Sequence, residues 1–169
     1  MAVGDLMARI TFSRQADFQY DLTELEKLAN SEEFLERAVA KGAAPVADSI
    51  RAGIQALPAE DFRRLRGNDT FHVITKSEKK DLTDGFGLTP ISRDRKGFVN
   101  TKAGFDGYGS FPTKSYPRGV PNQLVARAVE SGSSVREKIP FVKTAVRKSR
   151  KAAVKNMEES ITDDLKKVF

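Results

Sequence analysis

The sequence predicts an α+β fold in which two long amphipathic helices, one N-terminal and one C-terminal, pack on a small antiparallel sheet. Apolar residues recur at steps of three and four in residues 31–57 and again in residues 140–168, which is the spacing of one helix face. Between these segments, residues 71–105 contain short stretches of β-branched and aromatic residues that favour strands. Helices and strands that are separated along the chain in this way are typical of α+β proteins.

The start of the chain carries two local signals. Residues 8–13 alternate apolar and polar side chains, which indicates a short strand. Residues 21–24 resemble a capping box, the pattern that begins a helix, and Leu22, Leu25 and Leu28 follow at helical spacing. A short strand and a first helix are therefore expected before residue 30.

The N-terminal long helix is expected to begin after Ser31, a suitable N-cap residue. Gly42 and Pro45 predict a kink or a short break near residue 42, because proline lacks the N–H group that a helix interior needs. Pro58 is expected to end this helix and to begin a short one that reaches Arg66. The apolar face of the long helix consists of Leu35, Val39, Ala43, Val46, Ile50, Ile54 and Leu57.

The middle of the chain is predicted to supply the strands. The charged Lys79-Lys80-Asp81 segment is expected to form a turn or a sheet edge. A further turn is expected at residues 106–109, and an extended loop rich in glycine, proline and aromatic residues runs from about 106 to 121. The predicted strands are residues 71–75, a strand around 86–91 that is broken at Pro90, and residues 99–105.

Two further helices are predicted in the last third of the chain. Pro121 suits the first turn of a short helix that stops at Gly132. Pro140 is expected to begin the final helix, which continues to the C-terminus. The apolar stripe of that helix consists of Val142, Val146, Ala153, Met157, Ile161, Leu165 and Val168.

Composition limits the class of protein. A chain of 169 residues is expected to form a single domain over residues 1–169. There is no cysteine, which excludes disulfides and thiolate metal sites, and no apolar run is long enough to predict a membrane span. No signal peptide is recognised at the N-terminus, and we expect a protein that is made in the cytoplasm.

Few residues offer catalytic chemistry. His72 is the one histidine, and its place inside a strand pattern favours a structural role. An acidic metal cluster is conceivable, but the acidic residues of the strand region lie beside glycine, lysine or arginine, where turns usually place aspartate. We therefore expect a protein that is not an enzyme and has no cofactor or metal. The acidic residues concerned are Asp81, Asp84, Asp94 and Asp106.

The strongest electrostatic signal is a basic run in the final helix. Residues 1–70 carry a net charge of −3, whereas residues 71–169 carry +9. Three interpretations remain open: direct binding of DNA phosphates, a solvated helix face, or an interface with an acidic neighbour. The acidic residues that follow, from Glu158 to Asp164, make this helix bipolar along its length. The basic residues are Lys143, Arg147, Lys148, Arg150, Lys151 and Lys155.

Aromatic residues are interleaved with lysines in the strand and loop region. Such mixing can bind single-stranded nucleic acid by stacking, but packing in a small core and anchoring of a loop are the more usual roles. We rank core packing first, a protein interface second and nucleic acid third. The residues concerned are Phe86, Phe98, Phe105, Tyr108, Phe111 and Tyr116.

Taken together, several segments resemble the head–tail joining family of long-tailed phages and prophages, also called neck or tail-completion proteins. Residues 81–87 and 97–108 are similar to its sheet region. Residues 121–133 resemble its Glu-aromatic-Gly-Thr/Ser element, although this chain has Ser131 in place of the aromatic residue. The segment Pro140-Phe141-Val142, followed by Ala145, resembles the start of the family's final helix.

The resemblance implies a structural virion protein of the head–tail junction. Such a protein forms a homo-oligomeric ring, with a hexamer favoured, around a DNA channel whose DNA it does not read by sequence. Its expected partners are head connector or head-closure proteins on one side and tail terminator or tail-tube proteins on the other, with no membrane involved. The alternative is a basic nucleic-acid-binding protein that uses the Lys143–Lys155 helix. The suspected interface residues are Tyr108, Phe111, Tyr116, Glu130, Arg147, Arg150 and Lys151.

Overall fold

The computed structural model describes residues 23, 27, 32–61, 74–134 and 136–167. Thr23 and Lys27 are helical. The predicted strand at 8–13, most of the predicted first helix, and His72 lie outside the described residues.

The first long helix, α1, spans Glu32–Gln55 without interruption, so of the kink or short break predicted near residue 42 the break does not occur. Pro45 lies inside the helix and cannot donate to the carbonyl of Lys41, four residues earlier. That carbonyl instead lies 3.4 Å from the Asn156 side-chain amide, which donates to it from the final helix. Packing between the two helices therefore compensates for the hydrogen bond that proline removes.

The final helix, α4, spans Phe141–Leu165 and packs antiparallel against α1. At one end of the pair, Arg37 binds Asp164; at the other, the Ser49 hydroxyl donates to the Ala145 carbonyl at 3.2 Å. Gly42 lies directly against Met157, and a Cβ atom at that position would collide with its side chain. The two helices thus approach closely through small residues.

The apolar stripe predicted for α4 is only partly correct. Val146 is 44% exposed, whereas the other described members of the stripe are half-buried, and Val168 lies outside the described residues. The fully buried face is displaced from this stripe toward small and polar residues, because close packing against α1 favours small side chains at the contact. The buried residues of α4 are Phe141, Ala145, Ser149, Ser160 and Asp164.

The second helix, α2, spans Lys76–Gly85 and was not predicted from the sequence. The turn or sheet edge predicted at Lys79-Lys80-Asp81 is therefore wrong. Thr75 caps it: the Thr75 hydroxyl accepts from the Glu78 N–H at 3.1 Å, and the Glu78 carboxylate accepts from the Thr75 N–H at 2.9 Å. These two hydrogen bonds satisfy backbone N–H groups at the start of α2 and stabilise a helix in a segment that consists mostly of charged residues. Leu82 points from α2 into the core and is fully buried.

The described strands form three short two-stranded ladders. β1 (Ala59–Glu60) pairs in parallel with β2 (Ile74–Thr75), so residues 59–60 do not belong to the short helix predicted after Pro58; the rest of that helix lies outside the described residues. β3 (Phe86–Leu88) pairs antiparallel with β6 (Ala103–Phe105), and β4 (Ser92–Arg93) pairs antiparallel with β5 (Val99–Asn100).

The two antiparallel ladders belong to one hairpin, residues 86–105, which we call the hairpin arm. Its register shifts by one residue between the β3–β6 and β4–β5 ladders, as a bulge would produce. At the tip, the Asp94 carboxylate accepts from the N–H groups of Lys96 and Phe98, and Gly97 adopts a φ of 83°. The expected turn role of Asp94 is confirmed.

The remaining helix, α3, spans Asn122–Ser131 and ends at Gly132 as predicted. The core lies between the C-terminal half of α1, α2, β3, α3 and the start of α4. The α+β architecture with two long helices and a small antiparallel sheet is confirmed. The largest fully buried side chains of the core are Ile50, Ile54, Ile74, Leu82 and Val129.

Candidate interaction surfaces

The segment of residues 106–121, which we call the aromatic loop, has a closed base. The Gly109 N–H donates to the Val120 carbonyl at 2.7 Å, and Tyr108 forms an antiparallel bridge with Pro121. Gly119, with a φ of 98°, lies directly against the Gly109 carbonyl, so no larger residue fits there. Only glycine gives the conformation and the space that bring the two sides of the loop together.

Asp81 of α2 anchors the loop to the body of the protein. Its carboxylate accepts from the Ser110 N–H at 2.7 Å and from the Ser110 hydroxyl at 2.6 Å. The buried Asn122 amide donates to the carbonyls of Asp81 and Asp106, at 3.1 and 2.8 Å, and joins the loop base to the same helix. Hydrogen bonds to α2 therefore fix the base of the aromatic loop, and the rest of the loop extends from that base.

Aromatic side chains divide between the core and the surface. Phe86 is buried, and its ring centroid lies 5.4 Å from that of Phe105, so core packing is confirmed for these two residues. It is wrong for the other four, because the structure leaves them exposed on the loop and the arm. Their exposed fractions are 65% for Phe98, 52% for Tyr108, 64% for Phe111 and 39% for Tyr116.

The Arg118 guanidinium lies 5.3 Å from the centre of the Tyr108 ring, within the range of a cation–π contact. This contact joins the two sides of the loop next to its base. It orders one aromatic side chain of the suspected interface while leaving more than half of its surface open. Ordered, exposed aromatic side chains are the kind of group that carries affinity in protein interfaces.

The basic half of α4, residues 141–155, buries one face against the core and exposes its charged face. All six of its lysine and arginine side chains, including Arg147, Arg150 and Lys151, are exposed, and this segment contains no acidic residue. Val146 and Val154 lie among them and are also exposed. The surface can therefore attract an acidic partner or phosphates and also offers apolar contact.

Glu130 holds the start of α4. Its carboxylate accepts from the N–H groups of Val142 and Lys143, at 2.8 and 3.0 Å, which are donors without a partner inside the helix. The negative charge also suits the N-terminal end of the helix dipole. The structure thus gives this suspected interface residue a role within the chain.

An apolar groove lies beside this junction, between the end of α1 and the start of α4. It has a volume of about 510 Å³. Its walls include Gly53, Leu57, Ile139 and Phe141, and among the described residues that line it Lys148 is the one ionisable group. The described walls offer packing for an apolar group and contain two hydroxyls, of Ser49 and Thr144, but no carboxylate or imidazole beside them.

The acidic residues of the strand region do not come together as a metal site. Asp81 and Asp84 lie on α2, which corrects the expectation that they occupy turns, whereas Asp106 accepts from the Gly107 N–H in the predicted turn. Within the described ranges, no group of three or more histidine or acidic side chains is placed to hold a metal ion. Over the same ranges, no helix has the length and apolar character needed to cross a membrane.

Asp164 lies at the end of the helix pair where α1 begins and α4 ends. Hydrogen bonds from Lys167 and Arg37 hold the pKa of Asp164 below its usual range. Its side chain is almost fully covered, and the Arg37 guanidinium lies 3.1 Å away. The pair fixes the N-terminal end of α1 to the C-terminal end of α4.

Comparison with known proteins adds no family to these observations. No family model, no curated protein and no solved structure matches this chain. The resemblance to the head–tail joining family stays a prediction.

Proposed function

We propose that this chain is a structural protein of the head–tail junction of a long-tailed phage or prophage. In this proposal, copies form a ring, with six favoured, around the DNA channel between the head connector and the tail terminator or tube. The ring is assembled in the cytoplasm of the bacterial host and remains in the virion. DNA passes through its lumen without being read by sequence.

The observation that carries the proposal is the contact between two family-like segments. Glu130, in the segment that resembles the Glu-aromatic-Gly-Thr/Ser element, binds the first N–H groups of α4, in the segment that begins with Pro140-Phe141-Val142. Glu130 thus forms one junction with Val142 and Lys143, which lie 12 and 13 positions later in the chain. This contact supports the proposal because it gives the two family-like segments a common place in the fold.

The exposed surfaces also favour an assembly role. A loop with a fixed base presents Phe111 and Tyr116 to solvent, and a preorganised aromatic anchor loses little conformational freedom when it binds. The basic half of α4 provides a second exposed surface. A subunit of a closed ring that also binds other proteins needs at least two distinct binding surfaces.

Deletion of the gene in its parent phage tests this function. We expect electron micrographs to show separate filled heads and tails, or tails with abnormal ends, and a plasmid copy of the gene to restore joined particles. Normal joined particles in the deletion strain would show that the chain is not required at the junction.

The second candidate, a nucleic-acid-binding protein, is favoured by one observation: six exposed basic residues on one half of α4. If all six contacted phosphates of duplex DNA, the logarithm of the affinity would fall with the logarithm of salt concentration with a slope near ~−5. Tight binding by the purified chain with such a slope, together with a deletion strain that still makes joined particles, would favour this candidate.

A further inference from the structure

The charge of α4 is divided sharply along its length. Residues 141–155 contain six basic residues and no acid, whereas residues 156–165 contain four acids and no base. Lys143, Arg147, Lys151 and Lys155 follow one another at steps of four, which places like charges next to each other on the helix surface. The acids lie near the C-terminal end, where the helix dipole disfavours them. Neither arrangement stabilises an isolated helix.

Antiparallel packing adds acids from α1 to the acidic end of α4. Arg37 binds Glu33 at 3.6 Å and Asp164 at 3.1 Å, so the first turns of α1 and the last turns of α4 occupy the same end of the helix pair. Asp164 is buried in that contact, and Lys166 and Lys167 offset part of the charge. We call this region the acidic end; its exposed or half-buried acids are Glu33, Glu36, Glu158, Glu159 and Asp163.

The outer parts of the two charged regions lie too far apart to neutralise each other within one copy. Arg150 and Asp163 are 13 positions apart, or ~20 Å along a helix with a rise of 1.5 Å per residue. This separation is about twice the screening length of ~8–10 Å in physiological salt. Among the described residues, Lys155 is the one member of the basic half that forms an ion pair, with Glu159 at 3.6 Å.

We propose that the basic half of α4 in one copy binds the acidic end of a second copy, in a head-to-tail contact. The proposal rests on the proposed function, because it names the contact that joins neighbours in the ring. Opposite charges lie on two different surfaces of the same chain, so each copy can bind one neighbour with each surface, as a closed ring requires. A second copy is a better occupant than duplex DNA, because it uses both charged surfaces, whereas DNA would use the basic half alone.

Two sets of charge reversals in the full chain test the contact. The first is Arg147→Glu, Arg150→Glu and Lys151→Glu; the second is Glu158→Lys, Glu159→Lys and Asp163→Lys. All six side chains are exposed, so each variant is expected to keep the helix content of the wild type in circular dichroism. In analytical ultracentrifugation, we expect the wild type to sediment as an oligomer and each variant as a monomer.

Recombining the charges gives the decisive result. In an equimolar mixture, the unchanged basic half of the second variant can bind the unchanged acidic end of the first variant, so the mixture is expected to sediment as a heterodimer. Raising the salt to ~1 M, where the screening length is ~3 Å, is expected to dissociate every oligomer. A monomeric wild type, a reversal variant that stays oligomeric, or a mixture that stays monomeric overturns the proposal.

The experiment also separates this contact from the proposed function. It uses purified protein and no phage particles, so a heterodimer in the mixture together with a deletion strain that still joins heads to tails would retain the contact and refute the junction role. A first variant that loses duplex DNA binding but keeps its oligomeric state would overturn the contact and assign the basic half to DNA.

Discussion

At the residue scale, single carboxylates fix how the elements of this protein meet. Glu130 joins α3 to the start of α4, and Asp164 joins the end of α4 to α1. Glu130 accepts hydrogen bonds from backbone N–H groups, and Asp164 accepts them from charged side chains. Without these carboxylates the donors would bind water. These two contacts hold the two ends of the final helix, whose exposed basic half the proposed assembly uses.

Replacing Glu130 tests the first of these contacts. We expect Glu130→Ala to lower the free energy of unfolding by about 0.5–2 kcal/mol, the range for loss of a helix N-cap, because two N–H groups of α4 lose their acceptor. Urea denaturation followed by circular dichroism measures the change. Arg127→Ala, an exposed position on the same helix, is the matched control, and an equal loss in both variants would contradict the capping role.

The depressed pKa of Asp164 predicts a pH dependence of stability. A carboxyl whose folded pKa lies below its unfolded pKa of about 3.9 stabilises the fold above that pH, and the contribution is lost as the pH falls through the folded value. The difference in free energy of unfolding between wild type and Asp164→Asn is therefore expected to be largest near neutral pH and to shrink below about pH 4. A difference that stays constant over this range would refute the prediction.

At the element scale, most helices could be predicted from sequence because their signals are local. α1, α3 and α4 follow from apolar spacing and from proline and glycine at their ends. α2 was missed, although Thr75 and Glu78 have the spacing of a capping box, because the charge around them suggested a turn. Of the kink or break expected near Gly42, the break does not occur; there α1 packs closely against Met157, and the Asn156 amide donates to the Lys41 carbonyl.

The surfaces were less predictable than the helices, because their geometry depends on distant contacts. Asp81 and Ser110 are 29 positions apart, and no local pattern shows that one anchors the other. Exposure of Phe111 and burial of Phe86 likewise depend on how the hairpin arm and the loop pack. The aromatic and basic residue types could be identified from the sequence, but not their separation into core and surface.

The anchoring of the aromatic loop by Asp81 can be tested by hydrogen exchange. We expect Asp81→Ala to lower the free energy of opening the loop by roughly 1–3 kcal/mol, because the Ser110 N–H and hydroxyl lose a charged acceptor. Faster exchange should be confined to residues 109–120. Asp84→Ala, which removes an exposed carboxylate one turn further along α2, is the control and should leave exchange in the loop unchanged.

At the scale of the whole molecule, the structure combines a closely packed helix pair with surfaces that differ in chemistry. The aromatic loop offers apolar anchors, whereas the helix pair is basic along one half of α4 and acidic at its other end. A protein that binds several neighbours at once needs such separate surfaces. This division is the physical basis for proposing a structural subunit in an assembly.

Substitution of the loop aromatics tests this division. We expect Phe111→Ala with Tyr116→Ala to reduce the joining of heads to tails, because both side chains are exposed anchors, while changing the free energy of unfolding by less than about 0.5 kcal/mol. Leu124→Ala, an exposed apolar residue on α3, is the control. Full joining by the double variant would show that the loop is not an interface.

The most direct measurement of the junction role is complementation in vitro. A lysate of the deletion strain supplies heads and tails, purified wild-type protein is added, and infectious particles are counted. The junction role predicts that the titre rises with the amount of protein added and stays at background with buffer alone. A titre that is already high with buffer, or that stays at background when folded protein is added, would contradict it.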